Sequence, residues 1–131
     1  MRRAKRPIVP ERVLHAQVAD YLDRALPLDA WWTTFPAGGG GKIRGRNLKR
    51  VGLKAGVPDV LIIYKGRAYW IELKSLRGFA SNIQTDTIRK LCSVGCRAYV
   101  CKTLDDLEGV LRGWRIPLPP LLREIDEDSI V

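Results

Sequence analysis

Two acidic residues and one lysine, Asp59, Glu72 and Lys74, lie among apolar β-forming residues in the middle of the chain. Charged side chains are seldom placed in such surroundings unless they are paired or functional. Two carboxylates held side by side repel each other, and they must then bind either a proton or a cation. Their hard oxygen atoms suit Mg²⁺ or Mn²⁺. The adjacent lysine could hold or deprotonate the attacking water, or neutralise a phosphorane-like transition state. These residue types predict a metal-dependent site that cleaves phosphodiesters.

The spacing of the two acids places them opposite each other in a β-hairpin. Residues 57–64 and 67–73 are rich in β-forming residues and are separated by only two residues, the length of a tight turn. With the turn there, Asp59 pairs with Glu72, so both face one side of the sheet with β-carbons roughly 5 Å apart. Lys74 projects from that side too. The alternative is a cross-strand ion pair at a sheet edge, which the flanking apolar residues disfavour.

The other segments predict an α/β sandwich around this hairpin. Both hairpin faces are apolar, so we expect it to be central in a mixed sheet and covered by helices on two sides. A strand, a helix and a strand in succession normally form a right-handed parallel crossover, so the last strand should run parallel to a neighbour. The predicted order is α-β-β-β-α-β-α: a helix at 11–24, strands at 31–35, 57–64 and 67–73, a helix at 82–94, a strand at 96–101 and a helix from Thr103 through Arg112.

The charge of the chain predicts a polyanionic partner. Lys and Arg number 23 against 14 Asp and Glu, a net charge of +9 in 131 residues. Residues 1–102 hold 20 Lys and Arg against 7 acids, whereas residues 103–131 hold 3 against 7, so the basic surface belongs to the first three quarters of the chain.

A cluster of six basic residues follows the glycines at 38–41. We interpret it as a mobile cationic loop that contacts phosphates, because six positive side chains with no acid among them repel one another until something negative binds. The alternative is an ordinary solvated loop. A P-loop is excluded, because that motif would need Gly at Pro36 and Ser or Thr at Ile43. The six residues are Lys42, Arg44, Arg46, Lys49, Arg50 and Lys54.

Other classes of protein are disfavoured by composition. The three cysteines, Cys92, Cys96 and Cys101, form no C-x-x-C pair, and the single His disfavours a zinc site. No apolar stretch is long enough to span a membrane, and the basic N-terminal residues run into prolines rather than an apolar signal core. We therefore expect a cytoplasmic protein, with disulfides playing no part.

Longer motifs add a family resemblance to this interpretation. Pro58-Asp59 followed by Glu72-Leu73-Lys74 resembles the P-D…(D/E)-x-K signature of the restriction-endonuclease-like nucleases. With Gly56 before that signature and Ser81-Asn82-Ile83-Gln84 opening the next helix, the chain resembles the VRR-NUC family, the virus-type replication-repair nucleases. The resemblance covers roughly residues 11–114. It implies a restriction-endonuclease-like core. We place this core in a domain at 1–116, which includes a basic N-terminal extension, and we expect a Pro-rich acidic tail at 117–131.

The resemblance also implies roles for individual residues. Asp59 and Glu72 would bind the metal, with the carbonyl of Leu73 and the side chain of Glu11 as further ligands, and Lys74 would be the catalytic lysine. Gln84 would be the helix glutamine near the active site, and its alternative role is that of a capping partner. Glu11 could equally serve only the helix dipole.

Departures from the family pattern accompany these matches. His15 stands where relatives often have Gln, and we expect it to be a surface or hydrogen-bonded residue rather than a ligand. Val13 replaces a second acid and Ala37 an Asn, which leaves the role of the first helix and of the glycine loop open.

The leading hypothesis is a Mg²⁺- or Mn²⁺-dependent DNA nuclease. The resemblance implies a preference for flapped or Holliday-junction-like DNA in replication, repair or recombination, and a homodimer in the cytoplasm of a bacterium or phage-infected host. Exposed apolar residues such as Trp114, Leu118 or Leu121 could form the dimer surface. The first alternative is a non-catalytic, basic nucleic-acid-binding module. The second is a nuclease subunit that is active only with a partner.

Overall fold

The computed structural model describes residues 8–35 and 41–120, with only the backbone of 41–45. The basic start at 1–6, the glycines at 38–40 and the tail from Leu121 onward lie outside the described residues. The elements are α1 (Glu11–Ala25), β1 (Ala30–Thr34), α2 (Gly41–Arg50), β2 (Val60–Tyr64), β3 (Arg67–Leu73), α3 (Asn82–Ser93), β4 (Arg97–Cys101) and α4 (Leu104–Gly113). Every predicted element is present, and α2 is additional.

The four strands form one mixed sheet in the order β1-β2-β3-β4. β2 pairs antiparallel with β1 and β3, and β3 pairs parallel with β4, as the crossover argument predicts. Lys65 and Gly66 both have positive φ, 48° and 74°, which is the turn geometry that matches the twist of a two-residue hairpin. Tyr64 therefore pairs with Arg67, and the predicted register is confirmed.

One face of the sheet carries the hydrophobic core. Side chains alternate along β2 and β3, so every second residue points toward α1 and α4. Each fully buried aliphatic side chain contributes about 1.5–3 kcal/mol of transfer free energy, and this layer therefore fixes α1 and α4 against the sheet. Its most deeply buried members are Leu14, Val18 and Leu22 of α1, Val60, Ile62, Ile71 and Leu73 of the hairpin, and Leu107 and Leu111 of α4.

The opposite face of the hairpin is covered less completely than predicted. Leu61, Ile63 and Trp70 are half-buried there, and α3, which contacts β4, has no buried residue. Trp70 stacks on Phe35 with ring centroids 5.7 Å apart.

The prediction of a mobile cationic loop is wrong for the first part of the segment, where the backbone forms α2. Lys, Arg and Leu are good helix formers, and the helix ends in a Schellman motif. Gly52 has φ +105°, its N–H donates to the Lys49 carbonyl (3.1 Å), and the Leu53 N–H donates to the Leu48 carbonyl (3.0 Å). Repulsion among like charges is therefore outweighed by local helix propensity and a good C-terminal cap.

Two apolar residues near the end of α4 are less exposed than predicted, whereas Pro117, Pro119 and Pro120 are exposed. Trp114 and Leu118, predicted as exposed dimer-surface residues, pack against the core, and the Trp114 ring lies 5.2 Å from that of Tyr69. Ile116 is 2% exposed. Apolar side chains at the end of α4 thus extend the core instead of facing solvent. Within the described ranges, no helix has the length and apolar character needed to cross a membrane.

Candidate active site

Asp59 and Glu72 lie together at the end of the β2–β3 hairpin. The backbone ladder begins one step away, at Val60 with Ile71, so the pairing of 59 with 72 continues the same register. The Asp59 Oδ2 atom accepts a hydrogen bond of 2.8 Å from the Leu73 N–H, and the Asp59 carbonyl accepts one of 3.1 Å from the Phe35 N–H. The first bond holds the aspartate side chain against β3, and the second holds its backbone beside the end of β1.

Lys74 completes the predicted trio. Its Nζ atom lies 3.4 Å from Glu72 Oε1, and its side chain is 16% exposed. The Lys74 N–H donates to the Cys101 carbonyl at 3.0 Å, which extends the parallel pairing of β3 with β4 by one residue. The ammonium group is therefore anchored beside the glutamate and still reaches solvent.

Gln84 performs both of the roles that the sequence left open. Its side-chain Oε1 accepts from the Ser81 N–H (2.9 Å), and its own N–H donates to the Ser81 hydroxyl (3.2 Å), which completes the capping box. The other half of the same amide, Nε2, donates to Glu72 Oε1 at 2.9 Å. The cap thus orients the amide so that α3 binds the buried glutamate.

The environment of Glu72 disfavours its charged form. Burial first, and then the negative charge of Asp59, raise the pKa of Glu72 to about 7, against the opposing effect of Lys74. The side chain is 1% exposed. Its Oε2 atom is buried and finds no hydrogen-bond partner among the described residues, an arrangement that costs free energy unless something else satisfies it.

These observations test whether the residues fit a divalent cation. A buried carboxylate oxygen without a partner, a second carboxylate beside it and the main chain of Leu73 provide hard oxygen atoms that suit Mg²⁺ or Mn²⁺. Within the described part of the chain, no three His, Cys, Asp or Glu side chains gather closely enough to hold an ion by themselves. The donor set fits an ion that takes one or two protein carboxylates and completes its shell with water and phosphate.

Glu11 reaches this site only through His15, a residue that the sequence did not predict to take part in it. His15 Nε2 lies 3.7 Å from Glu11 Oε1 and 3.8 Å from Asp59 Oδ2. Glu11 is 48% exposed, so its side chain is not buried in the core. The signal for His15 was its i+4 spacing from Glu11, but only the docking of α1 beside Asp59 shows the connection.

The surroundings of Gly56 require glycine at this position before Pro58 and Asp59. Its φ is +76°, and a β-carbon there would lie 2.8 Å from both the Ile83 carbonyl and the Thr87 hydroxyl of α3. The Thr87 hydroxyl in turn donates to the Ala55 carbonyl at 3.1 Å. The chain leading to Asp59 is thus pressed against the helix that carries Gln84, which only a residue without a side chain permits.

Comparison with known proteins supports this architecture. A solved structure described as a VRR_NUC domain protein superposes with a TM-score of 0.68 and 24% sequence identity, over 81% of this chain and 88% of the other. The chain has the VRR_NUC fold. No family model matches the sequence, and no curated protein does. The predicted α/β class, a mixed sheet flanked by helices, is confirmed, while the likeness at this identity concerns the fold alone.

In this VRR_NUC fold, α2 carries basic residues and precedes Asp59 in the sequence. Arg46, Lys49 and Arg50 are exposed, and so is Lys54, whereas the side chains of Lys42 and Arg44 lie outside what the structure describes. The segment that follows α2 is fastened to α3 at Ala55. The cationic helix is therefore joined to the strand after Asp59 by a connection that contacts α3.

Proposed function

We propose that the chain is a metal-dependent deoxyribonuclease that hydrolyses phosphodiester bonds at the Asp59–Glu72–Lys74 site. The observation that supports this most directly is the buried Oε2 of Glu72, which has no hydrogen-bond partner among the described residues and lies beside a second carboxylate and an ammonium group. The ion pair with Lys74 involves the other oxygen, Oε1, and leaves Oε2 for a proton or a cation. A cation would also attract the negatively charged phosphate of a substrate.

Asp59 and Glu72 would hold Mg²⁺ or Mn²⁺, together with the carbonyl of Leu73. Glu11, which lies next to His15, would be a further ligand. When bound, the ion would polarise the phosphate and activate a water molecule. The Leu73 side chain is apolar and fully buried, so only its main chain can contribute.

Lys74 and Gln84 both contact Glu72 Oε1. Lys74 Nζ, 3.4 Å from that oxygen, can hold the attacking water or neutralise charge on the phosphate, and a neutral amine at this position could accept the proton of that water. Gln84 donates to the same oxygen and so leaves Oε2 free to face a ligand. The amide is a positioning group and needs no contact with DNA.

The proposed substrate is branched DNA, such as a flap or a Holliday-junction-like structure, in replication, repair or recombination. Support comes from the exposed basic residues of α2 and from the net charge of +9, which favour a polyanion. We further propose that the protein acts in the cytoplasm as a homodimer, which brings two sites to two strands. Light scattering of the purified protein tests the dimer, and a monomeric mass contradicts it.

The test of activity is cleavage of end-labelled duplex, flap and four-way DNA with Mg²⁺, with Mn²⁺ or with EDTA. We expect metal-dependent cutting that falls by at least about 100-fold in Asp59→Asn, Glu72→Gln and Lys74→Ala. Asp20→Asn is the matched control, because Asp20 is exposed on α1 and paired only with Arg24. Full activity in the three site variants would contradict the proposal. Salt-sensitive binding without cutting would favour a non-catalytic DNA-binding module, and metal binding without turnover a partner-dependent subunit.

A further inference from the structure

Phe79 is an exposed aromatic ring on the segment that connects Lys74 to α3. Its side chain is 80% exposed, and Leu76 on the same segment is 43% exposed. We propose that Phe79, flanked by Arg77 and Lys102, is a platform on which an unpaired DNA base stacks beside the scissile phosphate. This inference rests on the proposed nuclease function and adds to it a means of selecting DNA with an unstacked base.

The start of the segment is folded back onto the catalytic lysine. The Gly78 N–H donates to the Ser75 carbonyl at 2.9 Å, which closes a tight turn. A β-carbon on Gly78 would lie 3.5 Å from Lys74 Cβ, so the turn packs against the lysine itself. Phe79 is the next residue, and its backbone therefore lies within one residue of a contact with Lys74.

The end of the segment is fastened to the same site. Ser81, two residues after Phe79, forms the capping box of α3 with Gln84, and Gln84 donates to Glu72. Both ends of the exposed segment are thus tied to groups of the candidate active site. A ring held in this way has a defined position relative to the carboxylates.

A cation covers one face of the Phe79 ring. Lys102 Nζ lies 4.3 Å from the ring centroid, within the range of a cation–π contact. Lys102 directly follows Cys101, whose carbonyl accepts from the Lys74 N–H, so this contact places the ring over the ends of β3 and β4. The ring remains 80% exposed, which leaves its other face open for stacking.

The charges around the ring select the chemistry of the partner. The segment from Lys74 to Phe79 contains two basic residues and no acid. Within the described ranges, neither the Arg77 guanidinium nor Lys102 Nζ has a carboxylate oxygen within 4.0 Å. Asp106 accepts a hydrogen bond of 2.9 Å from the Lys102 backbone N–H instead. A purely apolar protein partner would desolvate these cations without compensation, whereas a nucleic acid strand brings a base for the ring and phosphates for the cations.

The base must be unstacked before it can reach the ring. Inside an intact duplex every base is already stacked on its neighbours and paired, so a blunt duplex offers a face to Phe79 only at its two terminal base pairs. A flap, a junction or a single-stranded end offers unpaired bases in addition. The platform therefore favours branched or single-stranded DNA over duplex.

The experiment measures DNA binding in EDTA, where the proposed cleavage cannot proceed. Blunt duplex, single-stranded DNA and a flap carrying 2-aminopurine at the branch are compared for the full chain and for Phe79→Ala, Phe79→Trp and Leu28→Ala. Alanine at position 79 should weaken binding of flap and single-stranded DNA by about 5- to 150-fold and leave duplex binding unchanged. Tryptophan should restore it. Leu28 is fully exposed on the α1–β1 connection, so Leu28→Ala controls for the loss of any exposed apolar residue.

The fluorescence of 2-aminopurine supplies an independent readout. Stacking quenches it, so the full chain should lower the signal of the flap and Phe79→Ala should not. If Phe79→Ala weakens binding of the flap but not of single-stranded DNA, the stacked base lies at the branch. If it weakens binding of both substrates equally, the ring accepts any unpaired base. Both results support the platform. Unchanged affinity and fluorescence in Phe79→Ala, or equal weakening on duplex, would overturn it. If Phe79-dependent binding holds while no substrate is ever cut, the nuclease proposal fails and the stacking proposal stands.

Discussion

Glu72 is the only buried polar or charged side chain within residues 8–35 and 46–120. Three groups from different elements converge on it: Asp59 before β2, Lys74 after β3 and Gln84 in α3. An ionised carboxylate at such a position is stable only with compensating charge or hydrogen bonds. One oxygen receives both from Lys74 and Gln84, and the other receives neither from the described residues. The two oxygens of Glu72 are therefore unequally compensated, and a divalent cation beside Oε2 would remove the difference.

This imbalance predicts how stability depends on pH when metal is removed. The pKa of Glu72 is raised from 4.5 to about 7, so between these values the folded protein binds more protons than the unfolded chain. Its free energy of unfolding must then fall as pH rises through that interval, by about 2–3 kcal/mol. Urea unfolding in EDTA at pH 5 and pH 8 measures the decrease.

Glu72→Gln provides the comparison for that measurement, because its amide has no charge to desolvate. The difference in unfolding free energy between the two proteins isolates the contribution of Glu72 from that of every other titrating group. Identical pH dependence in both proteins would show that Glu72 is not strained by its surroundings.

Much of this residue-scale arrangement follows from the sequence. The juxtaposition of Asp59, Glu72 and Lys74 depends only on a two-residue turn and on the alternation of side chains along a strand. The contact of Gln84 with Glu72 and the approach of His15 to Asp59 depend on how α3 and α1 dock against the sheet. No local pattern encodes those docking positions, which is why the sequence does not predict His15 beside the carboxylates.

At the scale of elements, the backbone of the segment before Asp59 lies against α3 at Gly56. Gly56→Ala should destabilise the protein more than Gly66→Ala, although the two glycines have nearly equal φ, +76° and +74°. Alanine at position 66 meets nothing within 4 Å and incurs only the left-handed backbone cost, roughly 1–2 kcal/mol. Alanine at position 56 adds a clash with the Ile83 carbonyl. Urea midpoints of the two variants test this, and equal destabilisation would refute the close approach.

Elements were predictable where a periodic apolar pattern coincided with turn or cap residues. The hairpin and the helix after Ser81 have both, and they occur as predicted. α2 has few apolar residues, so its sequence favours a charged loop over a helix. Its one clear local signal is Gly52, which ends the helix. The prediction for Trp114 and Leu118 is wrong because burial at the end of α4 depends on the neighbouring Tyr69 and not on local sequence.

At the scale of the whole molecule, the net charge of +9 should govern affinity for DNA more than the DNA sequence does. We expect Arg46→Gln, Lys49→Gln and Arg50→Gln combined to weaken binding similarly on every DNA sequence. The dependence of log K on log salt should become shallower by about 0.9 for each phosphate that the variant no longer neutralises. Fluorescence anisotropy over a range of NaCl concentrations measures both effects.

Arg24→Gln serves as the control for charge removal, since Arg24 is ion-paired with Asp20 at 2.8 Å on α1. It removes one positive charge from the molecule without altering α2. If it changes the salt dependence as much per charge as the α2 variants do, binding reflects overall charge and α2 is not the DNA-binding surface.

Anomalous scattering from crystals grown with Mn²⁺ tests most directly whether Asp59 and Glu72 jointly bind one divalent cation. We predict a manganese peak in contact with carboxylate oxygens of both residues, including Glu72 Oε2, and its disappearance in Glu72→Gln. A peak bound elsewhere, or well-ordered crystals with Mn²⁺ in excess and no peak between these two side chains, would contradict joint binding.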